Sequence, residues 1–237
     1  MKFLNIGLLA VGIALTLSSC DKRCMNGSGN KVTENRKVNE FTKIEVSGGY
    51  TIKLVQDSSF SLAISADDNL QKDIETDVSG DKLIIKNKNI CSGSEDIMIT
   101  IGVRDLEEIK ASGAVDIIGE GKINARDMGI KLSGSTKVTL DINAARLTTN
   151  ASGSSEINLK GQASEHDLKL SGSSNVNALD LVTGIYNIST SGSSDCSINV
   201  LQELNIHSSG SSAIKYRGNP TSVNNDKSGS SSIEKVN

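Results

Sequence analysis

Lys131-Leu132-Ser133-Gly134-Ser135-Thr136-Lys137-Val138 returns nineteen residues later as Asn150-Ala151-Ser152-Gly153-Ser154-Ser155-Glu156-Ile157. The Ser-Gly pair at its centre recurs at Ser112, Ser133, Ser152, Ser171, Ser191, Ser209 and Ser228, at intervals of 21, 19, 19, 20, 18 and 19 residues. That regularity marks a repeat architecture. Counted from each serine, position +5 reads Ile117, Val138, Ile157, Val176, Cys196, Ile214 and Ile233. Position −3 reads Ile109, Ile130, Thr149, Leu168, Ile188, Ile206 and Asn225. Position −2, between apolar or small neighbours, reads Lys110, Lys131, Asn150, Lys169, Ser189, His207 and Asp226. Polar and apolar positions thus alternate as they do along a strand, and a helix is excluded there.

A short strand cannot bury its apolar side alone, so successive copies must stack around one shared core. The repeat predicts a parallel β-solenoid, with turns about 4.8 Å apart and equivalent positions aligned as ladders. Its Ser-Gly-Ser-Ser segments suit corners: the glycines adopt backbone angles that other residues resist, and stacked hydroxyls bond along the ladder. These serines read as architectural. Cys196 stands in the Ile/Val column and reads as a buried small hydrophobe rather than a reactive thiol. Upstream, Phe41 to Gln56, Phe60 to Ala66, Ile74 to Asn87 and Ile97 to Val103 also alternate. They are expected to form less regular opening turns, with one short helical turn over 67–73. Turns of about twenty residues from Phe41 to Asn237 give about ten rungs and a body on the order of 48 Å long.

Composition narrows the function. Aromatic residues are 3% of the chain, with no Trp and one Pro beside 22 Gly and 35 Ser, so the core must be aliphatic. A net charge of −3, from 25 Lys plus Arg against 28 Asp plus Glu, offers no basic face for a phosphate backbone, and nucleic acid is not expected as a partner. Met1-Lys2 precedes a hydrophobic run, Phe3 to Leu17, of signal-peptide length and too short to prefer spanning a membrane. The run ends in Leu17-Ser18-Ser19-Cys20, which resembles the bacterial lipobox. Residues 1–19 then read as a lipoprotein signal peptide, Cys20 as the acylated mature N-terminus, 20–40 as a lipid-anchored tether and 41–237 as the domain. Acyl chains on Cys20 would hold the domain on a membrane, since each buried methylene contributes about 0.8 kcal/mol. The remaining Cys24, Cys91 and Cys196 lack the close pairs that zinc sites use, so neither a metal nor any cofactor is expected. Export permits disulfides, and Cys24 with Cys91 is the candidate pair.

The segments Phe41-Thr42-Lys43-Ile44-Glu45-Val46-Ser47-Gly48 and Tyr50-Thr51-Ile52-Lys53-Leu54-Val55-Gln56, followed by the Ser-Gly-Ser repeats, resemble the auto-transporter adhesin head GIN domain family. The resemblance covers about Lys37 to Asn237. It implies an all-β, right-handed, single-stranded parallel β-helix in an exported protein, often a lipoprotein of Bacteroidetes-type bacteria. It implies no established activity.

Parallel β-helices also host lyases and glycosidases, whose sites stack carboxylates, Arg or calcium ligands on one face. The nearest approach is position +8, where Glu120 and Asp141 fall on consecutive turns with Asp116 close by, but Lys160 comes next in the column. A solvated ladder of alternating sign accounts for these residues, as for Asp116, Lys137, Glu156, Asn175 and Asp195 at position +4. His166 and His207 lie in different columns two turns apart, which disfavours a shared metal or a relay. Phe41, Phe60, Tyr50, Tyr186 and Tyr216 are scattered, so a sugar-stacking platform is poorly supplied.

The sequence therefore reads as an exported, lipid-anchored, non-enzymatic β-solenoid acting on the cell envelope, at the outer membrane or cell surface, as an interaction or adhesion module. A carbohydrate-binding or polysaccharide-cleaving protein on the same scaffold is the alternative, and a structural envelope spacer a third. Expected partners are the membrane, through Cys20, and a surface protein or glycan. Because the repeat runs on through Ser228 to Ile233, end-to-end self-association is expected as well. Cys20→Ala should block acylation and processing by the lipoprotein route; mass spectrometry of the mature N-terminus checks this, and an unmodified start elsewhere in the parent chain would defeat the lipobox reading.

Overall fold

The computed structural model describes residues 24–91 and 96–237. The expected signal peptide and Cys20 lie outside the described residues. From β7 (Glu108–Gly134) through β8 (Lys137–Gly153), β9 (Glu156–Gly172), β10 (Asn175–Gly192) and β11 (Asp195–Gly210), the chain coils so that each strand pairs in parallel with the next. β12 (Ala213–Arg217) and β13 (Ser222–Gly229) pair with successive parts of β11, and β14 (Ser232–Lys235) pairs with β12. The register follows the sequence repeat: Gly134, Gly153, Gly172, Gly192, Gly210 and Gly229 lie one above another. The fold is a parallel β-solenoid.

Its core is the product of the two apolar columns. Ile117, Val138, Ile157, Val176, Cys196 and Ile214 are buried in register, as are Ile109, Ile130, Leu168, Ile188 and Ile206. β-branched and aliphatic side chains suit this stack because they pack against their own kind on the neighbouring pleat. Burial pushes the Cys196 thiol up to about 12, so it behaves as one more apolar side chain.

The stack makes about six turns rather than ten. The expectation failed because it assigned the whole chain to coils, whereas a long excursion interrupts the winding. Ser47 and Gly48, in β2 (Lys43–Gln56), are the register partners of Ser112 and Gly113 although 65 positions apart. Between them lie β3 (Ser61–Asp67), a 3₁₀ turn at Gln71–Asp73, β4 (Ile74–Ser79), β5 (Lys82–Asn87) and β6 (Met98–Val103). β5 and β6 lie parallel to the two halves of β2 and add one layer below it. β3 then runs antiparallel to β6, and β4 antiparallel to β5. Of these strands β5 and β6 wind as an opening turn, as expected, whereas β3 and β4 do not. Together the four form a cap that pairs the end of the stack, and alternation alone cannot distinguish a parallel neighbour from an antiparallel one.

The described part of the expected tether is also structured. β1 (Lys31–Arg36) pairs antiparallel with β3, and Cys24 is bonded to Cys91 with Cα atoms 4.8 Å apart. Arg36 fastens β1 to the cap: its Nη2 donates to Gln71 O at 2.7 Å and its Nη1 to Thr76 Oγ1 at 3.1 Å. A polar composition concealed β1 because an edge strand exposes most of its side chains and needs no apolar face.

The tightest requirement lies at the corners. Gly172 adopts φ +113°, and a Cβ placed on it would sit 2.5 Å from the carbonyl oxygen of Gly153. Gly172→Ala should lower stability by roughly 2–6 kcal/mol, combining a strained backbone with an overpacked contact. Ser173→Ala, at the adjacent exposed position, should stay within about 0.5 kcal/mol. Urea midpoints of the two variants check this; equal small shifts would show that the corner tolerates a side chain.

Candidate functional site: a groove along the stack

Each turn of the solenoid repeats the same outward positions, so surface features become lines rather than points. Two lines flank a groove of about 590 Å³. One wall is the −2 column of Lys110, Lys131, Asn150, Lys169, Ser189 and His207. The other is the corner column of Ser133, Ser152, Ser171, Ser191 and Ser209. Between them, Leu132, Ala151, Leu170 and Thr190 turn their side chains into the core, which leaves their strands as the floor. Lys131, Asn150, Lys169, Ser189 and His207 are register partners in turn, so the wall follows the axis.

Among the described residues, no carboxylate lines this groove. Lys110 Nζ lies 2.9 Å from Glu45 Oε1, and Lys131 Nζ 2.7 Å from Glu108 Oε2, while Lys169 is in no ion pair among the described residues. Glu45 is shared with Lys82, and its two amine partners hold its carboxyl below the ordinary range. On the serine wall, Ser152 Oγ donates to Leu132 O at 3.3 Å and Ser209 Oγ to Thr190 O at 3.5 Å. Each hydroxyl so engaged keeps its lone pairs available to accept a hydrogen bond.

A larger concavity, about 1220 Å³, lies on the neighbouring face and carries both signs. Its charges are compensated locally: Lys43 lies 3.9 Å from Glu107, Arg126 3.7 Å from Asp127, and Lys131 contacts Glu108.

The alignment of Glu120 with Asp141 at position +8 is not kept. The first interval of the repeat is longer than the others, and the surplus is taken up as a bulge between Ile118 and Lys122. Asp141 therefore faces Lys122 and Lys160, at 4.0 and 3.8 Å, while Glu120 pairs with Lys53 at 3.2 Å. Asp116 stands opposite Lys137 in the +4 ladder, where Lys137 lies 3.1 Å from Glu156. Among the described residues, no group of three or more His, Cys, Asp and Glu side chains is placed to hold a metal ion. Phe41 and Phe60 do meet, edge to face at 5.7 Å between centroids, with the Arg104 guanidinium 5.1 Å from the Phe60 ring. Phe41, Tyr50 and Tyr186 are buried.

Several features were missed in the sequence. The fourth residue of the corner turns inward: Thr136, Ser155, Ser174, Ser194, Ser212 and Ser231 are all buried. Thr136 and Ser155 share a hydrogen bond at 2.9 Å, while the Ser174 and Ser194 amides donate to the hydroxyls of Ser194 and Ser212 at 3.2 and 3.4 Å. An amide ladder also climbs the outer face, with Asn187 donating to Asp167 at 2.8 Å, Asn205 to Asn187 at 2.9 Å and Asn224 to Asn205 at 2.8 Å. Both were legible as columns of like residues. Ser47-Gly48 was legible too, since Ile44 and Ile52 stand at its −3 and +5 positions.

His166 is fully buried, bonded through Nε2 to Thr149 Oγ1 at 2.9 Å and packed against Tyr186 with centroids 4.7 Å apart. Its column places it between Leu147 and Tyr186. His207 is exposed, with Nδ1 3.0 Å from Asp226 Oδ2, so the two histidines serve different surroundings.

Fold and surface together define a parallel β-solenoid stiffened by side-chain ladders and marked by one acid-free axial groove. The chain belongs to the family described as "Putative auto-transporter adhesin, head GIN domain", whose model matches residues 40–220. Among solved structures it is similar to a "putative adhesin" from Bacteroides fragilis, at 23% identity and a TM-score of 0.82, covering 90% of this chain and 100% of that one. It is similar also to a "putative lipid binding protein" from Parabacteroides distasonis, at 21% identity and a TM-score of 0.68 over 90% of this chain and 99% of that one. A third similar structure is a "putative adhesin" from Parabacteroides merdae, at 20% identity and a TM-score of 0.61, with coverage of 90% and 99%. These likenesses establish the fold. Comparison with curated proteins found no match.

Burial drives the His166 pKa down to about 3 from an ordinary 6.5. Between those values the unfolded chain binds a proton that the folded one refuses, so stability falls as pH falls. Wild type should lose about 2 kcal/mol from this residue between pH 6.5 and 4.5. His166→Leu, which continues the column of Leu147, should remove that slope. Urea denaturation at both pH values checks it; parallel losses in the two proteins would mean that His166 is not the acid-sensitive group.

Proposed function

We propose that the chain is an exported envelope protein, lipid-anchored through Cys20, whose solenoid presents a binding surface at the outer membrane or cell surface and acts as an adhesion-type interaction module without transforming its ligand. The observation that carries this reading is the groove, an uninterrupted line of polar side chains repeated at the spacing of the turns, which suits retention of an elongated partner. Membership of an adhesin-type family supports a role in surface interaction. The Cys24–Cys91 disulfide supports export, because such bonds persist in oxidising compartments. The lipobox-like Leu17-Ser18-Ser19-Cys20 supports the anchor.

Incubating the purified protein with a panel of polysaccharides and shorter glycans tests the reading. Retention without new reducing ends is expected. Release of reducing ends would move the protein to the polysaccharide-cleaving alternative, and no retention of any member would favour a structural spacer. Protease shaving of intact cells checks the location, with loss of the solenoid from the cell surface as the expected result.

A further inference from the structure

We infer that the groove is a binding site for a linear acidic glycan lying parallel to the solenoid axis, with its carboxylates on the lysine wall and its hydroxyls on the serine wall. This rests on the reading of the protein as a surface binder and names the ligand class.

Three observations carry it. The first is charge: the chain as a whole is net negative, yet the groove is lined by three lysines and a histidine with no carboxylate among them. A cationic line within an acidic molecule selects for anions by complementarity and repels little that it must admit. The second is spacing. Lys131 and Lys169 are two rungs apart, about 10 Å at the strand spacing. Sugars in an extended chain advance by about one rung each, so a glycan with one carboxylate per disaccharide brings its charges to every second rung. Asn150, between the two lysines, offers an amide to the intervening neutral sugar. The third is the opposite wall, where Ser152 and Ser209 already donate to backbone carbonyls and present lone pairs to donors in the groove. Sugar hydroxyls are such donors.

The partners of the lysines do not block the site. Glu108 lines the neighbouring concavity, and exposed ion pairs of this kind contribute little, so the Lys131 amine can exchange its carboxylate for one on the ligand. Lys169 has none to exchange among the described residues. The larger concavity is a poorer candidate because both signs are present and mutually paired.

The test uses the full chain, with hyaluronan as the probe carrying one carboxylate per disaccharide, chitin oligosaccharides as its neutral counterpart, and heparin and duplex DNA as denser polyanions. Hyaluronan should be retained at low ionic strength and released as salt rises, while chitin oligosaccharides should not be retained. The pair Lys131→Gln with Lys169→Gln should weaken hyaluronan binding at least tenfold with an unchanged thermal midpoint. The pair Lys122→Gln with Lys137→Gln, which removes the same charge from another face, should leave binding within about twofold of wild type. Equal losses in both pairs would overturn the groove as the site, leaving only diffuse attraction. Retention of DNA alone would overturn the glycan class, and retention of heparin without hyaluronan would overturn the match to one carboxylate per disaccharide. Retention of the neutral oligosaccharide, unaffected by either pair, would overturn this inference while preserving the surface-binder reading, and no retention of any probe or panel glycan would end both.

Discussion

The structure depends on how closely one turn may approach the next at the corner. Strand hydrogen bonding fixes that distance along every rung, and at Gly172 it brings the Gly153 carbonyl where a Cβ would stand. Only glycine meets both the close approach and the positive φ. Its recurrence pins the register once per turn, since slipping by one residue would put a side chain against that carbonyl. Every other ladder inherits its alignment from this contact.

A register pinned at one point per turn tolerates variation elsewhere. The bulge between Ile118 and Lys122 absorbs extra residues without disturbing Gly113 and Gly134, and the excursion after Gln56 returns to the same corner at Gly113. This explains what could be read in advance. Ile117 to Ile214 and the corner glycines were legible because backbone geometry admits few alternatives there. β3 to β6 were recognisable as strands, but their pairing was not, because Leu62 or Ile99 alternates with polar neighbours in the same way whichever direction the adjacent strand runs. Glu120 and Asp141 were misaligned because counting residues cannot locate a bulge.

The interior shows where the pattern admits exceptions. Thr149 and His166 occupy buried columns whose neighbouring members are Ile130 and Leu168, and Leu147 and Tyr186, and the two side chains share a hydrogen bond. The Ser155 to Ser231 column works by the same logic on a larger scale, with hydroxyls bonding hydroxyls and amides of adjacent turns. A polar ladder can be buried because stacking brings the hydroxyls and amides of adjacent turns within reach of one another, although the Ser174 hydroxyl itself is left without a partner. The Ser-Gly-Ser-Ser motif thus contains two serines facing outward and one facing inward, a division that identical letters conceal.

The lysine wall shows the electrostatic cost of the same stacking. Like charges on adjacent rungs stand well within a screening length of about 8 Å, whereas charges two rungs apart fall just beyond it. The column follows that rule. Lys110 and Lys131, one turn apart, are the two whose amines carry carboxylates, Glu45 and Glu108. Beyond them Asn150 and Ser189 separate Lys169 from Lys131 and from His207, and Lys169 stands without an ion pair among the described residues. Neutral residues on alternate rungs do there what acidic partners do lower in the stack. They let cationic side chains share one wall without strong mutual repulsion, and they leave the middle of the groove with a positive charge that no described side chain neutralises.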